Sequence, residues 1–492
     1  MALFGLFALF LLGIALSLGF QAVPEGFSPS LAILALLLFA LLFLRAVRHP
    51  VTLQAGHPTQ FHGEVLFLVF SFFLLLHPYL LVILGAVEID TQSKFVVNYR
   101  DMSNKALIAS MVLLVGFTMG TVSRFRSRLP MGQLARDIPG LFPVVLLLLE
   151  VAAIGGFFTL GGAGWLQSNY NRQAQVEDGL LNHVFQLATL LSMAAFASGL
   201  FGLHRGRVPV ASRLGMAAGA VWALALMMIG DRNSLFLILT VIFSGLGLFF
   251  LRVRLGALAL LTFLALTIYD GFEKARRIEG RSLGAVVAAI VDPANNESLA
   301  RSSLGNTTAV VRAGFGYVPA VVDHTDGRLF AIALAGVVPK IRGPIFGDDP
   351  MRSSSSAILT RALLGANASY GVGTSIVSDL YIDLGIWFVL FGAFLLGRLW
   401  GWLRYRAERF PEDHDSVVLF LVGVAVFAEL PRYGFAFAVR PVAWTMLLLW
   451  GTRLLSRIFS RAPYDPPAPG MAALPVSGSR SIHPQPAKNA AP

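Results

Sequence analysis

The chain has 492 residues, 56% hydrophobic and 13% charged, with a formal charge of +11 and no cysteine. A charged fraction about half that of soluble domains, with a mean hydropathy of +0.71, excludes an ordinary water-exposed surface. Disulfides, thiolate metal sites and cysteine nucleophiles are excluded too. The basic excess reads as membrane topology rather than nucleic-acid binding, because arginine gathers in cytoplasmic loops.

Apolar segments of about 20 residues can cross a bilayer as helices. About twelve spans are predicted, near 2–20, 30–44, 64–86, 105–122, 140–160, 182–203, 214–229, 234–251, 255–269, 376–397, 416–430 and 434–452. The first lacks the basic start of a signal peptide and reads as a retained helix. Every second loop is basic. Arg45 and Arg48 follow the second span, Arg124, Arg126, Arg128 and Arg136 the fourth, and Arg205, Arg207 and Arg213 the sixth. Arg252 and Arg254 follow the eighth, Arg398, Arg404, Arg406 and Arg409 the tenth, and Arg453, Arg457 and Arg461 the last. These loops are assigned to the cytoplasm with both termini. The fold expected is an all-α polytopic transmembrane bundle. Residues 1–269 hold nine spans, 376–455 hold three, and 462–492 read as a disordered cytoplasmic tail rich in Pro, Ala and Ser.

Between them, 270–375 form a large extracytoplasmic loop. Long translocated segments escape the positive-inside rule, and loops of this length are uncommon without a function. It holds Lys274, Arg276, Arg277, Arg281, Arg301, Arg312, Arg328, Lys340, Arg342, Arg352 and Arg361. Stretches 309–322 and 329–338 are too short to span and read as interfacial or re-entrant helices. Gly343-Pro344, Asp348-Asp349-Pro350 and the run Ser353–Ser356 read as turns.

No nucleotide-binding loop and no His-Glu-x-x-His zinc motif is present. The two halves do not repeat each other, as those of many transporters do. Asp413-His414-Asp415 reads as a solvated turn. Gly230-Asp231-Arg232-Asn233 joins two spans by a short outer turn that holds Arg232 near the membrane surface. A guanidinium there can bind phosphate through two parallel donors, or simply snorkel to lipid headgroups. Val338-Pro339-Lys340-Ile341-Arg342-Gly343-Pro344 presents Lys340 and Arg342, where cations also favour any helix C-terminus.

Gly371-Val372-Gly373-Thr374-Ser375 precedes Asp379 and Asp383, which at i, i+4 share one helix face. Acids this close to a span usually face a polar cavity, and Asp379 is the favoured acceptor of a hydroxyl proton. The alternatives are a helix cap or a salt bridge. Glu429-Leu430-Pro431-Arg432-Tyr433 makes the last outer turn, with Glu429 the expected partner of Arg440 inside the final span. His324 in Asp323-His324-Thr325-Asp326 is a possible general base. Glu150 and His77 either line a cavity or are satisfied within the bundle.

The stretch from Gly371 to Trp400 resembles bacterial oligosaccharide repeat-unit polymerases, the Wzy-type O-antigen polymerases. Its Gly371, Ser375, Asp379, Tyr381 and Gly385 follow the family's glycine, serine, acid, tyrosine and glycine, although an acid longer by one methylene is commoner at Asp379. Gly230-Asp231-Arg232 is similar to the family's Gly-Ser-Arg with Asp in place of Ser, Pro339-Lys340 to its loop element, and Arg432 to its late arginine. The likeness covers about 230–455.

It implies transfer of a growing glycan from undecaprenyl diphosphate to a hydroxyl of another lipid-linked repeat unit, at the outer face of the inner membrane, with no metal or other cofactor. Its partners would be the lipid-linked oligosaccharide, the bilayer, a flippase and a chain-length regulator. Fixed cations near a low-dielectric surface suit the departing diphosphate. Arg232, Lys340, Arg342 and Arg432 take that role, with Arg276, Arg277, Arg440 and Asp383 as further substrate contacts and Asp379 or His324 as base. An O-antigen-ligase-like transferase and a flippase or other transporter are the rival readings.

Overall fold

Helix starts are set by short polar residues ahead of apolar runs. Ser28 caps a helix through Leu31 N with Pro29 in its first turn, and Asp231, Ser375 and Asp413 cap others in the same way. In the computed structural model, residues 2–53, 57–89, 99–123, 140–166, 180–262, 306–338, 341–347, 349–368 and 370–459 are described, with isolated positions at 97, 284, 287 and 288. The described residues form an all-α polytopic bundle with eleven helices long and apolar enough to cross a membrane.

The first part of the bundle is α1 (Ala2–Ala22), α2 (Pro29–Val47), α3 (Gly63–Ser71), α4 (His77–Ile83), α5 (Ser103–Val122), α6 (Phe142–Thr159), α7 (Leu180–His204), α8 (Val210–Ile229) and α9 (Arg232–Phe249). A π-helical turn, Phe72–Leu76, joins α3 to α4, so the two make a single span. His77 sits at this junction against the rings of Phe72 and Phe73. The short helices that follow are α10 (Asn306–Tyr317), α11 (Arg328–Ala335), α12 (Arg342–Phe346), α13 (Pro350–Ser353), α14 (Ser355–Leu364) and α15 (Ile376–Leu384). The last three spans are α16 (Ile386–Arg409), α17 (His414–Glu429) and α18 (Phe435–Phe459).

All sixteen residues of α17 are buried, which puts it at the centre of the bundle. The α5–α16 pair brings backbones together through small residues, as membrane helices do when no water drives their packing. A Cβ at Gly116 would stand 2.6 Å from the Leu390 carbonyl oxygen.

The two ends of the bundle differ. At one, called basal here, Arg45 and Arg404 meet Glu64, Arg205 meets Glu412, and Arg453 meets Asp413 and Asp415. At the opposite, distal end, Gly26 N donates to Asp101 O and Asn104 bridges Pro24 and Ser28. The basic residues after the predicted second, sixth, tenth and last spans that are described here therefore share one end.

Several expectations change. The ninth predicted span is helical over 255–262, and 263–269 lie outside the described residues. Yet α9 ends basally, where Leu248 O accepts from His57 N, and α10 lies distally, with Phe315 on Phe20. The predicted span 376–397 breaks at Gly385, whose φ of 77° favours glycine. A short helix precedes it, and the span proper starts at Ile386 and runs on to Arg409. Ser353–Ser356 is a junction of two helices rather than a turn, with Ser354 capping α14. The tail 462–492 lies outside the described residues.

Candidate functional site at the distal end

The distal helices enclose a cavity of about 420 Å³ between α7, the start of α9 and the first turns of α18. Asn182 and Gln186 project into it from α7, one helical turn apart, and Asp231, Asn233 and Ser234 from α9. Tyr433, Phe437, Arg440 and Trp444 complete the wall, with Tyr433 stacked on Phe437 at 4.0 Å between ring centres.

Arg440 lines this cavity from α18, and Arg432, in the last outer turn, bonds Asn233 of its wall. Arg432 Nη1 donates to Asn233 Oδ1 at 3.2 Å. Arg440 Nη1 donates to Gln186 Oε1 at 2.9 Å and its Nε to Gly336 O at 3.0 Å, where α11 ends. Trp444 Nε1 donates to Val337 O at 2.7 Å, so α11 is tied along α18 beside the cavity. Arg440 does not bond Glu429, whose carboxylate oxygens make no hydrogen bond among the described residues. Glu429 is buried at the end of α17 within electrostatic reach of Arg232, because α9 and α17 pack side by side.

Arg232 is only 4% exposed and stands in sequence between Asp231 and Asn233, both of which line the cavity.

The two acids of the i, i+4 pair both act on helix ends. Asp383 Oδ1 accepts from Thr325 Oγ1 at 2.6 Å and Leu329 N at 3.0 Å, and Oδ2 from Phe330 N at 2.9 Å. It therefore closes the start of α11 rather than facing a substrate. Asp379 Oδ2 accepts from Phe435 N at 2.8 Å, the first residue of α18, and Oδ1 accepts from the Ser355 hydroxyl. A Cβ on Gly434 would stand 2.7 Å from Asp379 Oδ1, so only glycine lets the chain pass there. Burial pushes the Asp379 carboxyl up; the bonds from Ser355 and Phe435 oppose this, and Asp383 adds to it. Tyr381 donates to Val318 O at 3.3 Å, and burial pushes its hydroxyl up to about 12, which keeps it a donor.

His324 packs edge-on against Tyr381, with Nδ1 3.3 Å from Ile382 O, which places it at the end of α15 instead of on the cavity wall. Lys340, Arg276 and Arg277 lie outside the described residues, as does the side chain of Arg342. Glu150 is wholly buried and accepts from Ser192 Oγ at 2.8 Å.

At the basal end, Asp413-His414-Asp415 is a buried ionic knot rather than a solvated turn. Arg453 Nη2 lies 2.6 Å from Asp413 Oδ1, and His414 joins Asp415 to Ser198. Helices α7, α16, α17 and α18 converge on it, which removes the water that a surface turn would have.

Some residues were passed over at the level of sequence. Asn182 and Gln186 are polar positions one turn apart near the end of an apolar span, a legible signal of an inward polar face. Tyr433, Phe437 and Trp444 carry no such signal, because aromatics also belong to membrane interfaces. Arg312 counted as one of many loop arginines, yet it is fully buried on α10, close enough to act electrostatically on Tyr79. No protein-family model, curated protein or solved structure matches this chain.

Proposed function

We propose that this protein is a membrane glycan polymerase. It would join undecaprenyl-diphosphate-linked oligosaccharide units at the distal end of the bundle, which would face away from the cytoplasm. One observation carries the reading: Arg440 lines a cavity walled by amide and aromatic side chains, and Arg432 bonds Asn233 of the same wall. Such a wall suits sugars, whose hydroxyls bond amides and whose ring faces pack on aromatics. The cations suit the charge that grows on a departing diphosphate, and near lipid they act through little water. Holding donor and acceptor together at one site supplies proximity. Buried Arg232 then acts from behind the wall, by its field rather than by contact.

A strain lacking the protein, complemented with wild type or Arg432→Ala, tests this on a gel of surface polysaccharide. The expected result is a ladder collapsing to single repeat units on deletion, restored by wild type and not by Arg432→Ala present at equal level. Long polymer persisting on its lipid carrier would make the protein a ligase instead. Repeat units held on the cytoplasmic side would make it a flippase.

A further inference from the structure

Glycosyl transfer needs a group that takes the acceptor's proton, and the acid favoured from sequence is poorly disposed for this. Both oxygens of Asp379 are engaged, by Ser355 and Phe435, and both oxygens of Asp383 hold the start of α11. Glu429 is 1% exposed and packed near Arg232. Asp231 differs from all three. It stands on the wall of the cavity, where it is the one acid among the described lining residues. Its Oδ1 accepts from Asn233 N at 3.0 Å and Ser234 N at 3.1 Å, which fixes the carboxylate on the first turn of α9. Its Oδ2 has no hydrogen-bond partner among the described residues.

The neighbours of Asp231 are those a glycosyl transfer needs. Asn233, two residues on, carries the Arg432 guanidinium. The rest of the wall is the Tyr433–Phe437 stack, Trp444 and the amides of Asn182 and Gln186. A cavity of about 420 Å³ lies in the lower part of the range for small-molecule sites, roughly 300–1,000 Å³, and has room for a small saccharide.

We propose that Asp231 is the general base, and that this cavity seats the sugar bearing the acceptor hydroxyl. The proposal rests on the polymerase reading and names the residue and subsite that reading requires. In the step, Asp231 Oδ2 takes the hydroxyl proton as the acceptor oxygen forms a bond to the anomeric carbon of the donor sugar. The bond from that carbon to the diphosphate oxygen breaks, and its electron pair leaves with the diphosphate, next to Arg432. Asp231 then returns its proton to solvent or to the diphosphate. The arrangement couples two properties of one side chain: the oxygen that caps α9 holds the other oxygen still.

The cap makes the test clean. Asn and Ser are good N-cap residues and Gly is nearly as good there, so each keeps the helix start. The full-length protein in lipid vesicles, supplied with lipid-linked repeat units, is compared with Asp231→Asn, Asp231→Ser and Asp231→Gly. Turnover is expected to fall by about 10²–10⁴-fold in all three, with thermal midpoints close to wild type. Sodium formate, a small carboxylate that fits the space vacated in Asp231→Gly, is expected to restore part of that variant's turnover and none in Asp231→Asn. Full turnover by Asp231→Asn beside an active wild type overturns the assignment and leaves the polymerase reading intact. A lost turnover that formate does not restore in Asp231→Gly also overturns the base role. A folded wild-type protein that makes no polymer from these units overturns both.

Discussion

Arginine and acid side chains gather at both ends of this bundle, but they are used differently. At the basal end, Arg453 meets Asp413 and Asp415, Arg406 meets Asp413, and Arg45 and Arg404 meet Glu64. Cations there face carboxylates and the knots join helix ends. At the distal end, Arg432 and Arg440 bond amide and carbonyl oxygens, and Asp231 bonds backbone N–H groups. Arg440 and Asp231 line a cavity, and Arg432 bonds Asn233 of its wall. Opposite charges that meet neutralise each other and serve as fastenings. Charges placed beside a cavity can act on a ligand there.

The sharpest way to break this comparison is to remove one arginine from each end. Arg453→Ala leaves Asp413, whose side chain is fully buried, short of a cation. The expected cost is about 3 kcal/mol or more of stability, read as a lower thermal midpoint in detergent, with the turnover of the surviving folded protein unchanged. Arg432→Ala is expected to do the reverse: a midpoint near wild type, and polymerisation in vesicles slower by about 10²-fold. Equal losses in both properties at both ends would erase the distinction.

Gly434→Ala comes next. It pushes a methyl into the Asp379 carboxylate and should cost about 1–3 kcal/mol, with Tyr433 displaced and turnover reduced along with the midpoint. Asp379→Asn sharpens the distinction between structural and chemical acids. The amide can accept from Ser355 or Phe435 with its single oxygen, so a loss of about 1 kcal/mol is expected while turnover persists.

That variant also carries a pH signature. Burial raises the folded-state pKa of Asp379 above its unfolded value. The folded protein thus holds this proton more tightly, so its contribution to stability is fully present below the unfolded pKa and lost as pH rises through the folded one. Thermal midpoints of wild type should fall with pH across that window more steeply than those of Asp379→Asn. The smallest effect is expected from Asp383→Asn, which keeps an oxygen for the α11 cap and should cost about 1 kcal/mol or less. A collapse of turnover in Asp383→Asn with the fold intact would return that acid to the chemistry.

The expected relation of Asp379 and Asp383 illustrates where sequence reading reached its limit. Their spacing put both on one face of one helix, and the structure has them so. Which element that face meets was not local information. Asp379 is 56 residues from Phe435 and Asp383 is 54 from Leu329, and only the folded chain joins them. In the same way, the apolar run around residue 429 was legible as a span, while the choice of Arg232 over Arg440 as its neighbour depended on which helices pack together.

By itself the sequence determined the class of fold. Backbone groups in lipid must be satisfied within the segment, so long apolar runs can only become helices. The arginine pattern likewise sorted the loops that are described into one end of the bundle. It ran one span through 376–397 and missed the break at Gly385, since an apolar sequence continues on both sides of that glycine. Tertiary structure decided which charges are fastenings and which border a cavity. An isolated helix end leaves every polar side chain solvated and nearly equivalent. Packing is what withdraws water from some of them, supplies a countercharge to others, and leaves Asp231 a carboxylate oxygen on the cavity wall.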